Sequence, residues 1–382
     1  YLVKIKRKRK MSDDKKNEEI YDTLTEEESR EEELHKARKA RAEKMHEEKQ
    51  RSMQIRRYGA IGAVVAISVI VLIAVVVKQK NKVDPRAIEP RTETVTQTQM
   101  PESEAPTEEP WSFEAHETDD TTDFPDSVVS QHGILINADT GEILAERDGR
   151  ERIVPASMTK VMTVLVAAEH ISEDQLDDKV KLTKEVADYS YVNDCSNTGF
   201  ELDEPITVRD LFYGTILPSG ADSAVSLANY VAGSHEAFVD MMNEKLDELG
   251  LSETSHFTNC VGLYDEKHYT TPYDMAVILK AATDHEWCRQ VLSEHIYTTE
   301  KTKQHPDGLC ISNLFLRRIE DKETHSTVLC AKTGFVSQSG SCAASMAIDK
   351  NGTEYLVVTA GSTSSWRCIY DHVDIYTQFL PE

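Results

Sequence analysis

The chain reads Pro155-Ala156-Ser157-Met158-Thr159-Lys160 at the point where a helical spacing of apolar residues begins. Ser157 and Lys160 are three positions apart, so on a helix they project from the same face. A serine hydroxyl is a poor nucleophile until a base removes its proton, and a lysine amine is such a base when burial or another cation lowers its pKa. A helix start also offers backbone N–H groups to a developing oxyanion. The stretch therefore predicts a nucleophile at Ser157 and a base at Lys160, although Ser-x-x-Lys alone occurs by chance in many helices.

Two later segments make this prediction more specific. Leu217-Pro218-Ser219-Gly220 lies at a predicted helix boundary, and Ala331-Lys332-Thr333-Gly334 ends a predicted strand. The order and spacing of the three motifs match those of the penicillin-recognising serine acyltransferases.

Flanking segments narrow the resemblance to one family. These are Asp139-Thr140-Gly141-Glu142, Phe257-Thr258-Asn259-Cys260-Val261-Gly262-Leu263, Thr271-Pro272-Tyr273-Asp274-Met275 and Lys332-Thr333-Gly334-Phe335 with Ser339-Gly340. Together with the motifs they resemble the D-alanyl-D-alanine carboxypeptidase family, the low-molecular-mass penicillin-binding proteins. The resemblance extends from Ser127 onward, about two thirds of the chain.

The resemblance implies a serine acyl-enzyme mechanism that needs neither a metal nor another cofactor. Ser157 would attack the carbonyl between two D-alanines of a peptidoglycan stem peptide, with Lys160 as proton acceptor. Ser219 would relay a proton towards the departing D-alanine. Water would then release the acyl group, and β-lactams would act as covalent inhibitors of Ser157.

The resemblance also implies a set of substrate-binding residues on the strand of the third motif. Lys332 and Thr333 would hold the terminal carboxylate of the peptide, and Lys332 would help to keep the base neutral. Gly334 would let the substrate lie against the strand edge. The backbone N–H groups of Ser157 and Phe335 would form the oxyanion hole.

One position departs from the family pattern. The second motif of the family usually reads Ser-x-Asn, whereas this chain has Ala221 in the third place, followed by Asp222. Loss of one amide hydrogen bond costs on the order of 1 kcal/mol, which slows a reaction without abolishing it. We therefore expect a reduced or altered substrate preference.

The pattern of apolar residues and turns predicts an α+β fold, and the family resemblance implies that this fold is of the β-lactamase/transpeptidase type. Strands are predicted at Gly133–Asn137, Glu142–Arg147, Thr327–Lys332, Cys342–Ile348 and Tyr355–Ala360. The apolar spacing predicts helices between these two sets, around 161–168, 227–231, 238–249 and from Thr271 onward. Strands at both ends imply one antiparallel sheet built from both ends of the domain, flanked by helices and joined by a helical subdomain.

The first third of the chain is expected to attach this domain to a membrane. Residues 1–57 are a charged segment, in which the part from Thr23 to Arg57 is interpreted as a solvated helix or, alternatively, a partner-binding coiled coil. Residues 58–77 form an uncharged apolar run long enough to span a bilayer, and 78–126 a Pro/Thr/Glu-rich disordered stalk before the domain of 127–382. Because the chain ends at Glu382, soon after its last predicted helix, we expect 58–77 to replace the C-terminal anchor of many relatives.

Orientation is inferred from the cysteines and the stalk. The basic residues on the two sides of the apolar run are nearly balanced, but all 7 cysteines and the stalk lie on its C-terminal side. We therefore expect a single-pass protein of the bacterial cell membrane, with a cytoplasmic N-terminus and an extracellular catalytic domain. A disulfide between Cys330 and Cys342 is one hypothesis, and buried reduced thiols are the other.

Several other functions fit the sequence less well. The net charge of −24 argues against nucleic acid as a partner, and the 13 histidines do not form a metalloprotease motif. A class A β-lactamase shares two of the motifs, but a Glu-x-x-Leu-Asn segment is missing between Ser219 and Lys332. A β-lactam or wall-peptide sensor remains open, and Ala221 is the feature that favours it.

Overall fold

The computed structural model of the protein describes residues 111–382, in which a mixed sheet lies between two layers of helices. Its six strands are β1 (His116–Asp123), β2 (His132–Asn137), β3 (Glu142–Arg147), β8 (Ser326–Val336), β9 (Gly340–Asp349) and β10 (Glu354–Ser362). They follow the order β1-β3-β2-β10-β9-β8 across the sheet, so strands from both ends of the described chain share one sheet. Two short pairs lie outside it: β4 (Lys179–Lys181) with β5 (Pro205–Thr207), and β6 (Ile296–Thr298) with β7 (Cys310–Ser312).

The helices make up about half of the chain between β3 and β8, and one more follows β10. A 3₁₀ turn, Ala156–Met158, leads into α1 (Thr159–His170), and a second one covers Glu173–Asp177. The other helices are α2 (Lys184–Val192), α3 (Val208–Ile216), α4 (Ala221–Ala232), α5 (His235–Glu248), α6 (Pro272–Asp284), α7 (Glu286–Ser293), α8 (Leu316–Ile319) and α9 (Ser365–Phe379).

Alternation along the strands gives the sheet two buried faces. Ile134 and Ile136 belong to the large core that contains α1 and α6, whereas Leu135 between them packs with Ile375 and Tyr376 of α9. Successive side chains of a strand point to opposite faces, so an uninterrupted apolar run is what a sheet covered on both sides requires.

The polar side chains buried under α9 are paired. The His372 ring lies fully buried between Ser345 Oγ, 2.7 Å from Nδ1, and Thr359 Oγ1, 2.9 Å from Nε2. Burial lowers the pKa of His372 to about 3, so the ring is neutral at pH 7.

The predicted strands and helices are confirmed, with shifted ends. The segment Glu142–Arg147 is reproduced to the residue, and the strand predicted at Thr327–Lys332 runs on to Val336. The helix predicted from Thr271 begins at Pro272, and the Thr271 hydroxyl accepts a hydrogen bond from Asp274 N as its N-cap.

The last part of the stalk predicted at 78–126 is wrong. Residues 116–123 form β1, which pairs parallel with β3, so the predicted start at Ser127 is late and the sheet is not purely antiparallel. The strand His-Glu-Thr-Asp-Asp-Thr-Thr-Asp is polar because it lies exposed at the sheet edge, where backbone pairing rather than apolar burial holds it. Buried Ala115 and Phe124 fix its two ends.

The disulfide hypothesis is also wrong. All seven cysteines are free thiols in the structure. In the β8–β9 pair Cys342 lies opposite Gly334, and Cys330 opposite Met346. Cys330 and Cys342 are therefore four positions apart along the ladder. At about 3.3 Å per residue this separates them by about 13 Å, which is beyond the reach of a disulfide.

The predictions for residues 1–57, 58–77 and the first part of the stalk lie outside the described residues. Within 111–382, each helix is too short or too polar to cross a bilayer.

Candidate active site

The predicted nucleophile lies in a sharp turn at the entrance to α1. Ala156 has a φ of 46°, in the left-handed region that residues with a side chain seldom adopt. Gly262 packs directly over this turn, because a Cβ built on it would lie 1.8 Å from the carbonyl oxygen of Ala156. The loop around Gly262 therefore clamps the backbone that presents Ser157.

Ser157 and Lys160 are in hydrogen-bond contact, as their spacing predicts. Lys160 Nζ donates to Ser157 Oγ over 3.0 Å, and also to the carbonyl oxygen of Val261 over 2.7 Å. Only 2% of the Lys160 surface is exposed. Burial lowers the pKa of Lys160 to about 8, although Cys195, Cys260 and Asp222 nearby oppose this shift. An amine with this pKa is neutral often enough near pH 7 to accept a proton from the serine.

Asn259 fixes the position of the Val261 carbonyl, which Lys160 contacts. Its buried Oδ1 accepts backbone N–H groups from Val261 over 3.2 Å, Gly262 over 2.7 Å and Leu263 over 2.9 Å. Its Nδ2 donates to Leu263 O over 3.0 Å, which closes the loop on itself. Sequence reasoning gave Asn259 no role, because the contact between this loop and the start of α1 is not encoded by any local pattern.

His268 connects the segment before Asn259 to the start of α1. The backbone N–H of Thr258 donates to His268 Nδ1 over 3.0 Å, so the ring proton is on Nε2, 2.9 Å from Thr159 Oγ1. Burial lowers the pKa of His268 to about 3, and the ring stays neutral.

The second and third motifs are in contact through Lys332 and Ser219. These two side chains, together with Ser157 and Lys160, line the catalytic cleft. Lys332 Nζ donates to Ser219 Oγ over 2.8 Å and to the carbonyl oxygen of Thr333 over 2.9 Å. Ser219 has a φ of 64°, a strained backbone held by a hydrogen bond of 2.9 Å from Gly220 N to Gly214 O. Such strain costs on the order of 1–3 kcal/mol and is typical of functional positions.

Lys332 is as deeply buried as Lys160. Only 1% of its surface is exposed, and burial, followed by repulsion from Lys160, holds its pKa well below the usual range. An arriving carboxylate would stabilise the ammonium form of Lys332 and bind to it.

Gly334 brings β8 against the nucleophile. A Cβ built on it would lie 2.7 Å from Cys342 Sγ and 3.0 Å from both Pro155 O and Ser157 N. The predicted oxyanion donors, the N–H groups of Ser157 and Phe335, are therefore on adjacent segments. Thr333 is half-buried beside Lys332, and the Phe335 side chain is 56% exposed at the cleft rim. The structure thus brings the predicted site residues together.

The comparison with known families decides the classification. The sequence model of the D-alanyl-D-alanine carboxypeptidase family matches residues 118–363, more than half of the chain. The chain belongs to this family.

Curated members of the D-alanyl-D-alanine carboxypeptidase family align with the chain over part of their length. The carboxypeptidase DacF of Bacillus subtilis is 38% identical over 159 residues, which cover 41% of this chain and 40% of DacF. The carboxypeptidase DacA of Haemophilus influenzae is 30% identical over 240 residues, 62% of this chain and 58% of DacA. The chain therefore spans less than two thirds of either relative.

Solved structures of the same fold cover the catalytic domain. The Streptomyces K15 DD-transpeptidase is 28% identical with a TM-score of 0.59, over 65% of this chain and 95% of that structure. Penicillin-binding protein 5 of Haemophilus influenzae is 27% identical with a TM-score of 0.57, over 65% of this chain and 70% of that structure.

The departure from the D-alanyl-D-alanine carboxypeptidase pattern lies at the start of α4. Ala221 is fully buried, and its backbone N–H donates over 2.9 Å to Ser196 O of a neighbouring loop. Asp222 ties this loop to α4, because its Oδ1 accepts from Thr198 N over 2.9 Å and from Thr198 Oγ1 over 3.0 Å. The loop that contains Ser196 is therefore held against the position where the family pattern has an amide.

Proposed function

We propose that the protein is a serine-type D-alanyl-D-alanine carboxypeptidase, which removes the terminal D-alanine from peptidoglycan stem peptides through an acyl-enzyme on Ser157. One observation carries the proposal: Ser157 Oγ lies 3.0 Å from the amine of a buried lysine whose pKa is lowered to about 8. A buried Ser–Lys pair can activate a hydroxyl without a metal or a histidine.

Acylation begins with the peptide lying along β8. Lys332 and Thr333 bind its terminal carboxylate. This places the carbonyl of the bond between the two D-alanines at Ser157. Neutral Lys160 takes the Ser157 proton as Oγ attacks the carbonyl carbon. The oxyanion that forms accepts hydrogen bonds from the N–H groups of Ser157 and Phe335.

The tetrahedral intermediate then expels D-alanine. The proton that Lys160 took from Ser157 passes to the departing amine through Ser219, whose hydroxyl is bound to Lys332, and the C–N bond breaks to leave an ester on Ser157 and a neutral Lys160. In the second half-reaction Lys160 accepts a proton from the water that attacks the ester, and returns it to Ser157 Oγ as the ester C–O bond breaks and the shortened peptide leaves.

Covalent labelling tests this proposal. Ser157→Ala should abolish labelling of the full chain by a fluorescent penicillin and the release of D-alanine from a synthetic pentapeptide. Ser252→Ala removes an exposed serine outside the cleft and should leave both unchanged. Wild-type labelling of the Ser157→Ala protein would refute the proposal, and rapid turnover of the penicillin without trapping would indicate a β-lactamase instead.

We also propose that residues 58–77 anchor the protein in the bacterial cell membrane, with the N-terminus cytoplasmic and the catalytic domain outside. The uncharged run Gly59–Val77 between Arg57 and Lys78 supports this. Replacing Ile67 and Ile70 by arginine should release the protein from the membrane fraction, because each charge at a helix centre costs about 3 kcal/mol on insertion. Retention of this variant in the membrane would contradict the proposal.

A further inference from the structure

Helix α5 holds the segment 257–261 at two points. Asn243 Oδ1 accepts the N–H of Phe257 over 2.9 Å, and Asn243 Nδ2 donates to Phe257 O over 2.8 Å. His235, the first residue of the helix, accepts the backbone N–H of Cys260 with Nε2 over 3.0 Å. One helix therefore fixes both ends of a segment that leads into the active site.

The backbone at Cys260 sets where the catalytic base rests. Thr163 Oγ1 donates to Cys260 O over 2.7 Å, and Lys160 Nζ donates to the next carbonyl oxygen, that of Val261, also over 2.7 Å. Thr163 and Lys160 are three positions apart on α1, so one side of that helix binds two consecutive carbonyls. A shift of the Cys260 peptide would therefore move the carbonyl that holds the amine.

The N–H of Cys260 needs the acceptor that His235 provides. Cys260 is fully buried, so its N–H cannot turn to water if Nε2 is removed. A buried N–H without a partner destabilises the backbone around it, which relaxes by moving until another acceptor is reached. The segment would then lose the position that presents the Val261 carbonyl to the base.

The ring of His235 is held as a neutral acceptor. Ser234 fixes the start of α5 as its N-cap, because its Oγ accepts Ala237 N over 3.1 Å. The Tyr189 ring of α2 packs edge-on against the imidazole, with centroids 5.3 Å apart. Because Nε2 accepts a backbone N–H, the proton of the neutral ring is on Nδ1. Burial lowers the pKa of His235, although Glu236 opposes this shift, so the ring is neutral at pH 7.

We propose that His235 is a positioning residue for the catalytic base. Its Nε2 fixes the Cys260 peptide, and through this peptide the Val261 carbonyl against which Lys160 rests. The inference rests on the proposed function, in which Lys160 takes the proton of Ser157.

Three replacements separate the acceptor of His235 from its ring. His235→Gln can place an amide oxygen where Nε2 lies, but it lacks the ring. His235→Phe keeps a ring against Tyr189 and has no acceptor. His235→Asn is the polar control, because its shorter side chain ends near the position of Nδ1 and cannot reach Cys260 N.

Stopped-flow acylation by a fluorescent penicillin at about pH 9.5 measures the effect, since Lys160 is then neutral and the rate reports the position of its amine. The first-order acylation constant at saturation should fall about 10- to 100-fold in His235→Phe and His235→Asn. In His235→Gln it should stay close to that of the wild type. The Kd of the complex before acylation should be the same in all of them, because Lys332 and Thr333 are unchanged.

A role of the ring in packing alone predicts the opposite order, with His235→Phe fast and His235→Gln slow. Either that order or equal rates for His235→Gln and His235→Asn would overturn the inference. If His235→Phe does not fold, the comparison of Gln with Asn decides by itself, because both lack the ring. His170→Phe, at the exposed last position of α1, is the control and should acylate like the wild type.

Hydrogen exchange of the Cys260 amide reports the contact without any turnover. The exchange should be faster in His235→Asn than in the wild type and His235→Gln, and equal protection in all three would also overturn the inference. Absence of labelling in the wild type would refute the proposed function instead, and the exchange experiment would still report on the contact.

Discussion

At the scale of single residues, the site depends on one amine kept in its basic form. Lys160 contacts Ser157 Oγ and Val261 O, and burial lowers its pKa to about 8. The Val261 carbonyl can accept from the ammonium form or from the neutral amine. It therefore fixes the position of Nζ in both protonation states.

The pH dependence of acylation should report this amine. Because neutral Lys160 is the active form, the rate of penicillin acylation should rise with pH through about 8 and then level off. Well below pH 8 the rate should fall about tenfold per pH unit, since the neutral fraction falls by that factor. Stopped-flow labelling between pH 5 and 10 measures it, and a rate independent of pH would contradict the role of Lys160.

Asn259 should act on the same profile as a positioning residue. Asn259→Asp keeps the acceptor for the three N–H groups but adds a negative charge beside the Val261 loop, which should raise the pKa of Lys160 and move the midpoint above 8. Asn259→Ala should slow acylation about tenfold or more, because three donors lose their acceptor.

Asn243→Asp is the matched control for this prediction. Asn243 Oδ1 accepts Phe257 N over 2.9 Å at the start of the same segment, away from the lysine. Its replacement should leave the midpoint unchanged. If both aspartate variants move the midpoint equally, Asn259 has only a structural role.

At the scale of secondary-structure elements, the start of α1 is held between two glycines. Gly334 of β8 approaches the backbone at Ser157 from one side, and Gly262 covers Ala156 from the other. Both contacts are with backbone atoms, which cannot rotate away as a side chain can.

Gly334→Ala should therefore separate β8 from the nucleophile. Its Cβ would need about half an ångström more room from Pro155 O and Ser157 N, and misplacement on this scale can cost 10- to 100-fold in rate. Penicillin acylation should drop by that factor while thermal unfolding stays cooperative. Thr327→Ala, at an exposed position of β8, is the control; an unchanged acylation rate for Gly334→Ala would contradict the close approach.

The sequence predicted those helices and strands that have a local signal, either a periodic spacing of apolar residues or a capping residue. The strand at Glu142–Arg147 and the helix after Thr271 are examples. It missed β1, because an exposed edge strand needs no apolar residues. It gave the Ser157–Lys160 contact from spacing, and the roles of Ser219 and Lys332 only through family resemblance; it did not predict the hydrogen bond between these two residues. The loop at Asn259 was missed because its contacts join residues about 100 positions apart, which local patterns do not encode.

At the scale of the whole molecule, both faces of the sheet bury neutral histidines. His268 is buried next to the nucleophile turn, and His372 is buried on the side of α9 that faces the sheet. Burial lowers the pKa of each ring to about 3. Between pH 3 and the unfolded value near 6.5 the unfolded chain binds more protons, so stability must rise with pH across this window.

Acid should therefore destabilise the fold, and replacing one buried histidine should reduce the loss of stability at low pH. Each buried histidine removes about 1.4 kcal/mol per pH unit below 6.5 from the free energy of unfolding. His372→Gln should lower stability at pH 7, yet lose less than wild type between pH 7 and 4.5, as urea unfolding would measure. His116→Gln, on exposed β1, should keep the wild-type loss, and an unchanged loss for His372→Gln would disprove the argument.

The pairing of β2 with β10 has a consequence for biosynthesis. Residues Gly133 and Thr359 are partners in the central ladder, so the sheet lacks its middle until a strand 226 positions further along the chain has left the ribosome. Until then the edge of β2 that pairs with β10 stays unpaired. Nascent chains stalled before residue 354 should be open to protease throughout, and maturation should be a single late event rather than a stepwise one.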